Sequence, residues 1–225
     1  MSVSPRKDST MKTATIAMLV MLWCGQAMPS FAAAFEGVIT LKETSGDETE
    51  TRTFYFKGEK MRVDDGDAEF SVWDAKKKDG FFVDRDDHTY TTMIWSDLGV
   101  ADAKSVLDDI TVTKTGKNGK IAGYSCEGYV AKDKSDGSMS ELCIAKGLSN
   151  AALYGVLADE ASSRGGYPSW FRDFLKDGGF PLRQIDYDET GKEESRSEVT
   201  KIDAKRLDDG LFHPPAGFKK LELRK

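Results

Sequence analysis

The sequence is poor in the residues from which most enzyme sites are built, with two histidines and three cysteines among 225 residues. His88 lies in an acidic stretch and His213 stands beside two prolines, and neither belongs to a nucleophile motif. The chain also lacks C-x-x-C, H-E-x-x-H and a glycine-rich phosphate loop. We therefore expect no catalytic site, no metal site and no cofactor.

Two stretches resemble functional motifs without completing them. The stretch 123–128 has one residue too many for a G-x-S-x-G elbow, so Ser125 is better explained as a strand residue. The stretch 186–191 resembles the first half of a calcium loop, but its twelfth position is Ser197, where a bidentate Glu is required. A hairpin turn is the better account there. Acidic residues at 64–67 and 84–87 could attract a hard cation, although solvated acids in turns are commoner.

A marked apolar run, residues 16–24, lies near the start of the chain. Arg6, Lys7 and Lys12 precede it, and the small residues Ala32-Ala33-Ala34 follow it. This order is typical of a secretory signal, and we predict a signal peptide over 1–34 with cleavage after Ala34, whether translation starts at Met1 or at Met11. The run is shorter than the roughly 20 residues that span a bilayer, so we expect no transmembrane segment in the mature chain and a periplasmic location.

The mature chain would be acidic. Cleavage removes three of the 32 basic residues and one of the 38 acidic ones, which leaves 29 and 37 and a formal charge of −8 over 191 residues. That charge disfavours binding to nucleic acid. At this length a single domain over 35–225 is expected.

Cys126 and Cys143 remain after cleavage, and the stretch Ile121–Ala145 reads as a β-hairpin. If the two cysteines oppose each other, Lys132 opposes Gly137 and residues 133–136 form the turn. Opposed cysteines lie within reach of a disulfide, which we predict because the compartment is oxidising. Two buried thiols are the alternative.

Alternation of apolar and polar residues with period two predicts strands along most of the mature chain. Two segments, Ser96–Asp109 and Ser149–Lys176, have helical spacing instead. The expected class is α+β, a long and strongly bent antiparallel sheet with these two short helical segments. The predicted strands cover 35–43, 51–57, 60–64, 68–74, 80–85, 89–95, 110–114, the cysteine hairpin, 180–188 and 194–202.

Aromatic and aliphatic residues on successive strands indicate one shared apolar face, with Trp170, Phe171 and Phe174 as the group that covers it. A tightly packed core is one interpretation, and an aromatic-lined cavity for a small apolar ligand is the other. The ligand-binding candidates are Phe54, Phe56, Met61, Val63, Phe70, Phe81, Trp170, Phe171 and Phe174.

The mature chain resembles a family of secreted bacterial proteins defined only as a domain of unknown function, itself similar to the LolA/LolB-like lipoprotein carriers. The resemblance rests on the stretches 35–39, 55–62, 120–124 with Cys126, 179–182 and 211–218. It implies a half-barrel of antiparallel strands with helices over its concave face, which in those carriers holds acyl chains.

Two functions follow as expectations. The first is a carrier that binds a lipid or a lipoprotein acyl chain in the concavity by burial of apolar surface. The second is an interaction or sensing module with a solid core, whose partner is an envelope protein.

Overall fold

The computed structural model describes residues 35–94, 109–150 and 177–222. These ranges form twelve β-strands and one short 3₁₀ helix, Asp209–Phe212. The predicted helical segments Ser96–Asp109 and Ser149–Lys176 lie, except for their end residues, outside the described residues. The described part of the chain is strongly β-dominated, and the covering helices of the predicted α+β class are not borne out by it.

The strands follow the period-two pattern of the sequence closely. Their bounds are β1 Gly37–Ser45, β2 Glu48–Lys57, β3 Lys60–Asp65, β4 Glu69–Asp74, β5 Asp79–Asp84, β6 Thr89–Ile94, β7 Ile110–Ile121, β8 Tyr124–Asp133, β9 Met139–Ala145, β10 Phe180–Tyr187, β11 Glu193–Ala204 and β12 Lys219–Leu221.

All twelve strands belong to one sheet that does not close into a barrel. Its order is β12-β6-β5-β4-β3-β2-β1-β11-β10-β9-β8-β7. The central strand β1 pairs with β2 on one side and with β11 on the other, so it joins the N-terminal strands β1–β6 to the strands β7–β11. The sheet is antiparallel except at one edge, where β12 pairs with β6 in parallel, a pairing that the predicted antiparallel sheet did not include.

The disulfide between Cys126 and Cys143 is present, as predicted, with a Cα–Cα distance of 5.3 Å. The predicted register of the hairpin is wrong by two residues, because Cys143 opposes Gly128 and Lys132 opposes Met139. The turn therefore closes with a hydrogen bond from the Asp133 amide to the Ser138 carbonyl. The disulfide therefore joins two cysteines that are diagonal neighbours on paired strands and not directly opposed residues.

Glycine makes room for this disulfide on the neighbouring strand. Gly119 on β7 opposes Cys126, and a Cβ there would lie 3.0 Å from the Cys143 sulfur and 3.3 Å from the Cys126 sulfur. Asn118-Gly119, a pair that is typical of hairpin turns, lies within β7. The real turn is Ala122-Gly123, where both residues have positive φ, as a two-residue hairpin turn requires.

The sheet buries apolar residues on both of its faces. We call one the cystine face; its buried cluster is Ile39, Leu41, Phe56, Met61, Cys126, Cys143, Ala145, Leu148, Phe180, Leu182 and Val199. We call the other the C-terminal face, because residues 205–221, the C-terminal segment, cover it; its buried cluster is Phe70, Val72, Val83, Leu207 and Phe212. Each face therefore has a core of its own.

Candidate functional site

The cystine face carries a cluster of four phenylalanines at the centre of the sheet. The ring centroids of Phe54 and Phe180 are 5.4 Å apart, and those of Phe56 and Phe180 are 5.9 Å apart, both edge to face. Phe35 adds a further edge contact to Phe56 at 6.1 Å. Edge-to-face packing holds aromatic rings in defined orientations. Phe56 and Phe180 are buried, whereas Phe54 keeps part of its surface exposed.

The next two strands extend this apolar surface. Met61 and Val63 on β3 oppose Phe56 and Phe54, and Trp73 on β4 opposes Met61. Val63 and Trp73, like Phe54, are only partly buried although they pack against the buried cluster. The cystine face thus offers an apolar surface on which Phe54, Val63 and Trp73 are incompletely covered.

Charged groups lie at the border of this apolar surface, toward the ends of the strands. Arg52, which opposes Leu41, pairs with Glu43 at 3.2 Å and with Asp65. The hydrogen bond to Asp65 raises the pKa of Arg52 against the opposing effect of burial, which is the largest single influence on this group. An apolar surface that ends in charged groups favours an amphipathic ligand, since the chain and the polar head would meet different environments.

A second polar group lies on β10. Asp186 accepts hydrogen bonds from Ser140 on β9 at 2.6 Å, from Ser195 on β11 at 2.7 Å and from Gln184 at 2.9 Å. This carboxylate therefore holds three strands in register. The neighbouring 188–192 stretch is a turn built on the Asp188 carboxylate, which accepts from the amides of Thr190 and Lys192. The calcium-like stretch is thus a hairpin turn, as expected.

The structure separates the predicted ligand-binding residues into two groups. Phe54, Phe56, Met61 and Val63 lie together on the cystine face. Phe70 and Phe81 lie on the C-terminal face. The expected single shared face is wrong, because Val63 opposes Ser71 and Phe70 therefore points to the other side of the sheet. Trp170, Phe171 and Phe174 lie outside the described residues.

Sequence reasoning missed several residues of the site. Phe35, Trp73 and Phe180 join the aromatic surface of the cystine face. The strand pattern places Phe35 and Phe180 on alternating apolar positions, so it marks them as core candidates. Trp73 lies on the opposite side of β4 from the alternating pair Phe70 and Val72. The pattern carries no signal that brings β10 beside β1 and β2 through β11.

Contacts from Arg62 hold the C-terminal segment against the C-terminal face. The Arg62 guanidinium lies 3.8 Å from the centroid of the Phe70 ring and donates to the Leu211 carbonyl at 3.2 Å. It also donates to both carboxylate oxygens of Asp64, at 2.6 and 2.9 Å. Arg85 donates to Asp64 at 2.8 Å from the other side. Arg62 thereby ties the C-terminal segment to β3.

Lys57 makes the second attachment of the C-terminal segment. Its ammonium donates to the Leu207 carbonyl at 2.7 Å and pairs with Asp209 at 2.9 Å. The hydrogen bond from Lys57, together with its charge, lowers the pKa of Asp209. Glu36 completes the arrangement, because its carboxylate accepts from the Leu207 amide at 2.8 Å.

A cleft of about 450 Å³ remains beside this segment on the C-terminal face. Its floor is apolar, formed by Val72, Phe81 and Phe212, and charged residues stand at its end. Within residues 35–94, 109–150 and 177–222, no group of three metal-ligating side chains occurs. No helix in those same ranges is long and apolar enough to cross a membrane.

Solved structures with a similar fold include one that covers nearly the whole domain. A crystal structure of an uncharacterized conserved protein from Thermus thermophilus matches with a TM-score of 0.53 and 13% identity, over 85% of this chain and 93% of that one. MucB in the MucA/MucB complex of Pseudomonas aeruginosa matches with a TM-score of 0.44 and 11% identity, over 83% of this chain and 58% of that one.

A third match is an outer membrane lipoprotein-sorting protein domain from Vibrio parahaemolyticus, with a TM-score of 0.32 and 6% identity, over 79% of this chain and 88% of that one. The last two scores lie below 0.5, so the Thermus protein alone among these three bears on the fold. Among curated proteins, no sequence matches this chain.

A family model covers most of the residues described above. It matches residues 35–218 and is described as a domain of unknown function, DUF4412. The matched range begins at Phe35, which packs on Phe56, and ends at Phe218, which packs against the cluster of the C-terminal face. It therefore takes in both faces of the sheet, and the chain belongs to the DUF4412 family.

Proposed function

We propose that this protein is a carrier or binding protein that holds a lipid or a lipoprotein acyl chain on the cystine face. The single observation that carries the proposal is the partial exposure of Phe54, Val63 and Trp73, which adjoin the buried aromatic cluster. Such side chains gain free energy when a hydrocarbon chain covers them, at about 0.8 kcal/mol for each CH₂ group buried.

The chemistry of the surface supports a hydrocarbon ligand rather than a polar one. Phe54, Val63 and Trp73 lie on three successive strands, and the ion pairs of Arg52 stand at the strand ends. A polar ligand placed on this surface would lose hydrogen bonds to water without replacing them, which costs free energy. An acyl chain loses none, and its polar head can reach the charged ends of the strands.

The compartment and the absence of catalysis belong to the same proposal. A disulfide that is almost fully buried suits an oxidising compartment, and we propose the periplasm after cleavage of the signal peptide. We propose no enzymatic activity, because binding and release of a chain require burial of apolar surface and no reacting group. Trp170, Phe171 and Phe174 stay predicted members of the ligand-binding set.

The test is lipid mass spectrometry on the mature protein purified from a periplasm without detergent. We expect a lipid or fatty acid to co-purify in a stoichiometric amount. The Phe54→Ser variant should reduce the bound amount, and the matched variant Tyr90→Ser, which changes a partly buried ring on the C-terminal face, should not. A protein that carries no lipid and does not bind a fluorescent fatty acid would refute the proposal. It would leave the envelope protein-interaction module as the function to test.

A further inference from the structure

The cleft on the C-terminal face has a charge pattern that the acyl-chain proposal does not use. It is lined by residues from four adjacent strands, β3 to β6, and by the C-terminal segment at Phe212, His213 and Pro214. Its volume of about 450 Å³ falls in the range of small-molecule pockets, roughly 300–1,000 Å³. It is therefore large enough for a small ligand.

Three charged residues form a row across the strands at one end of the cleft. Lys60 on β3 opposes Asp74 on β4, and Asp74 opposes Asp79 on β5. Neighbouring strands are about 4.8 Å apart, so Lys60 and Asp79 stand about 10 Å apart along the row. A positive and a negative side chain thus flank a central carboxylate.

The central carboxylate is already occupied. Asp74 is buried, and one of its oxygens accepts from the amides of Lys76 and Lys77, at 3.0 and 3.1 Å. Its other oxygen lies 3.9 Å from the Lys77 ammonium. Asp74 therefore caps the β4–β5 turn, and Lys77 offsets its charge.

Lys60 and Asp79 are the two charged residues of this row that the β4–β5 turn does not pair. Both are half-buried at the cleft. Across the three described stretches of the chain, neither side chain forms an ion pair or a hydrogen bond. Lys60 interacts with Asp209 only at longer range, where its charge adds to the larger effect of Lys57 in lowering the pKa of Asp209. Holding a charged group half-buried without a hydrogen-bonded partner is unfavourable, and a ligand that pairs with both charges would relieve that cost.

We propose that the cleft binds a zwitterionic amphiphile, a molecule with a short apolar body and a head that carries both an acidic group and an ammonium. The acidic group pairs with Lys60, the ammonium pairs with Asp79, and the apolar body lies on Val72, Phe81 and Phe212. This site is on the opposite face of the sheet from the acyl-chain site, so the two proposals stand or fall separately.

The probe is lauroyl lysophosphatidylethanolamine, used below the concentration at which it forms micelles and followed by isothermal titration calorimetry. Laurate and dodecylammonium carry the same kind of chain with a single charge. We expect each of these to bind about tenfold more weakly than the zwitterion, since each loses one charge-assisted hydrogen bond.

Two substitutions assign the charges to their residues. Lys60→Gln should remove the preference for the zwitterion over dodecylammonium, and Asp79→Asn should remove the preference over laurate. Neither changes the cystine face, so any binding there stays as a component common to all variants. Lys120→Gln, an exposed lysine on β7, is the matched control and should leave all affinities within about twofold.

Three results would overturn the proposal. One is the failure of the zwitterion to bind. Another is laurate binding as tightly as the zwitterion with Asp79→Asn having no effect, because the site would then recognise an anion alone. The third is an unchanged preference in both variants that circular dichroism shows to be folded.

Discussion

The two faces of this sheet are both apolar, but they are completed in different ways. The C-terminal face is covered by its own chain, and Arg62 and Lys57 fix that cover by donating to the carbonyls of Leu211 and Leu207. On the cystine face, Phe54 and Val63 adjoin a buried cluster and keep part of their surface exposed. The C-terminal face thus has a segment held on it by polar contacts to its backbone, and the cystine face is the one that we propose for an exchangeable acyl chain.

The largest effect should come from the centre of the cystine face. Phe56→Ala removes a fully buried ring that contacts three other phenylalanines, and we expect it to lower the free energy of unfolding by about 3–5 kcal/mol. Urea denaturation measures the change. Phe54→Ala, two residues earlier on the same face, should cost about 1–2 kcal/mol because its ring is only partly buried. Equal losses in the two variants would contradict the difference in burial.

The disulfide should matter next. Replacing Cys126 and Cys143 together by serine opens a loop with a sequence separation of 17 residues, and we expect a loss of about 3 kcal/mol in the free energy of unfolding. Protein that has been unfolded, reduced and then refolded without an oxidant should show a similar loss of stability. If free-thiol titration of the native protein finds two reactive thiols, the disulfide is absent and the cystine face has no covalent cross-link.

The attachment of the C-terminal segment can be weakened without touching the cystine face. Arg62→Met removes the donor to the Leu211 carbonyl, and we expect a loss of about 2 kcal/mol, the value of a hydrogen bond to a charged group. Amide hydrogen exchange should accelerate in residues 207–212 more than in β1 and β11. Arg52→Met is the matched control, since this arginine is also paired with aspartate but is more exposed and should cost about 0–1 kcal/mol. Equal acceleration throughout the sheet would show that Arg62 supports the whole fold.

The smallest effect should be a dependence on pH at the same attachment. Lys57 lowers the pKa of Asp209 below the value of 3.8 that the carboxyl has when unpaired. The contribution of this pair is therefore complete above pH 3.8 and is lost as the pH falls through the lowered pKa. The protection factors of amides in the C-terminal segment, which correct for the intrinsic pH dependence of exchange, should fall over that range in the native protein and should already be lowered in Asp209→Asn at neutral pH. An exchange profile that does not differ between the two proteins would remove Asp209 from the attachment.

The sequence predicts the individual strands of this protein well and their relations poorly. Period-two alternation locates β1 to β6 and β8 to β11 within a few residues, because each strand buries one side of its backbone. The predicted strand 110–114 is too short, since β7 continues to Ile121. The short β12, Lys219–Leu221, carries no such alternation, since its three residues are exposed. The disulfide was predictable from two cysteines in an oxidising compartment, even though the hairpin register was not.

Which face a strand presents depends on the length of the turn before it. One residue more or less in the β3–β4 turn exchanges the faces of Phe70 and Ser71, and composition does not reveal that number. The same holds for the cysteine hairpin, where Cys143 opposes Gly128.

The cover of the C-terminal face was partly predictable, because the apolar pair Leu211-Phe212 beside two prolines indicates a turn packed inward, and Phe212 is buried there. The contact between Arg62 and Leu211 was not predictable, because no pattern in the sequence brings together two residues that are 149 positions apart.

The most direct test of the account is to locate a bound acyl chain on the sheet. A long-chain fatty acid with a diazirine near its end would be bound to the mature protein, irradiated, and the cross-linked peptides sequenced by mass spectrometry. Because a fatty acid lacks an ammonium, the cleft beside Lys60 and Asp79 should not favour it. We expect cross-links in β2 and β3 at Phe54, Val63 and their neighbours on the cystine face. Cross-links confined to the C-terminal face, or none above an unfolded control, would contradict the claim that the cystine face holds the chain.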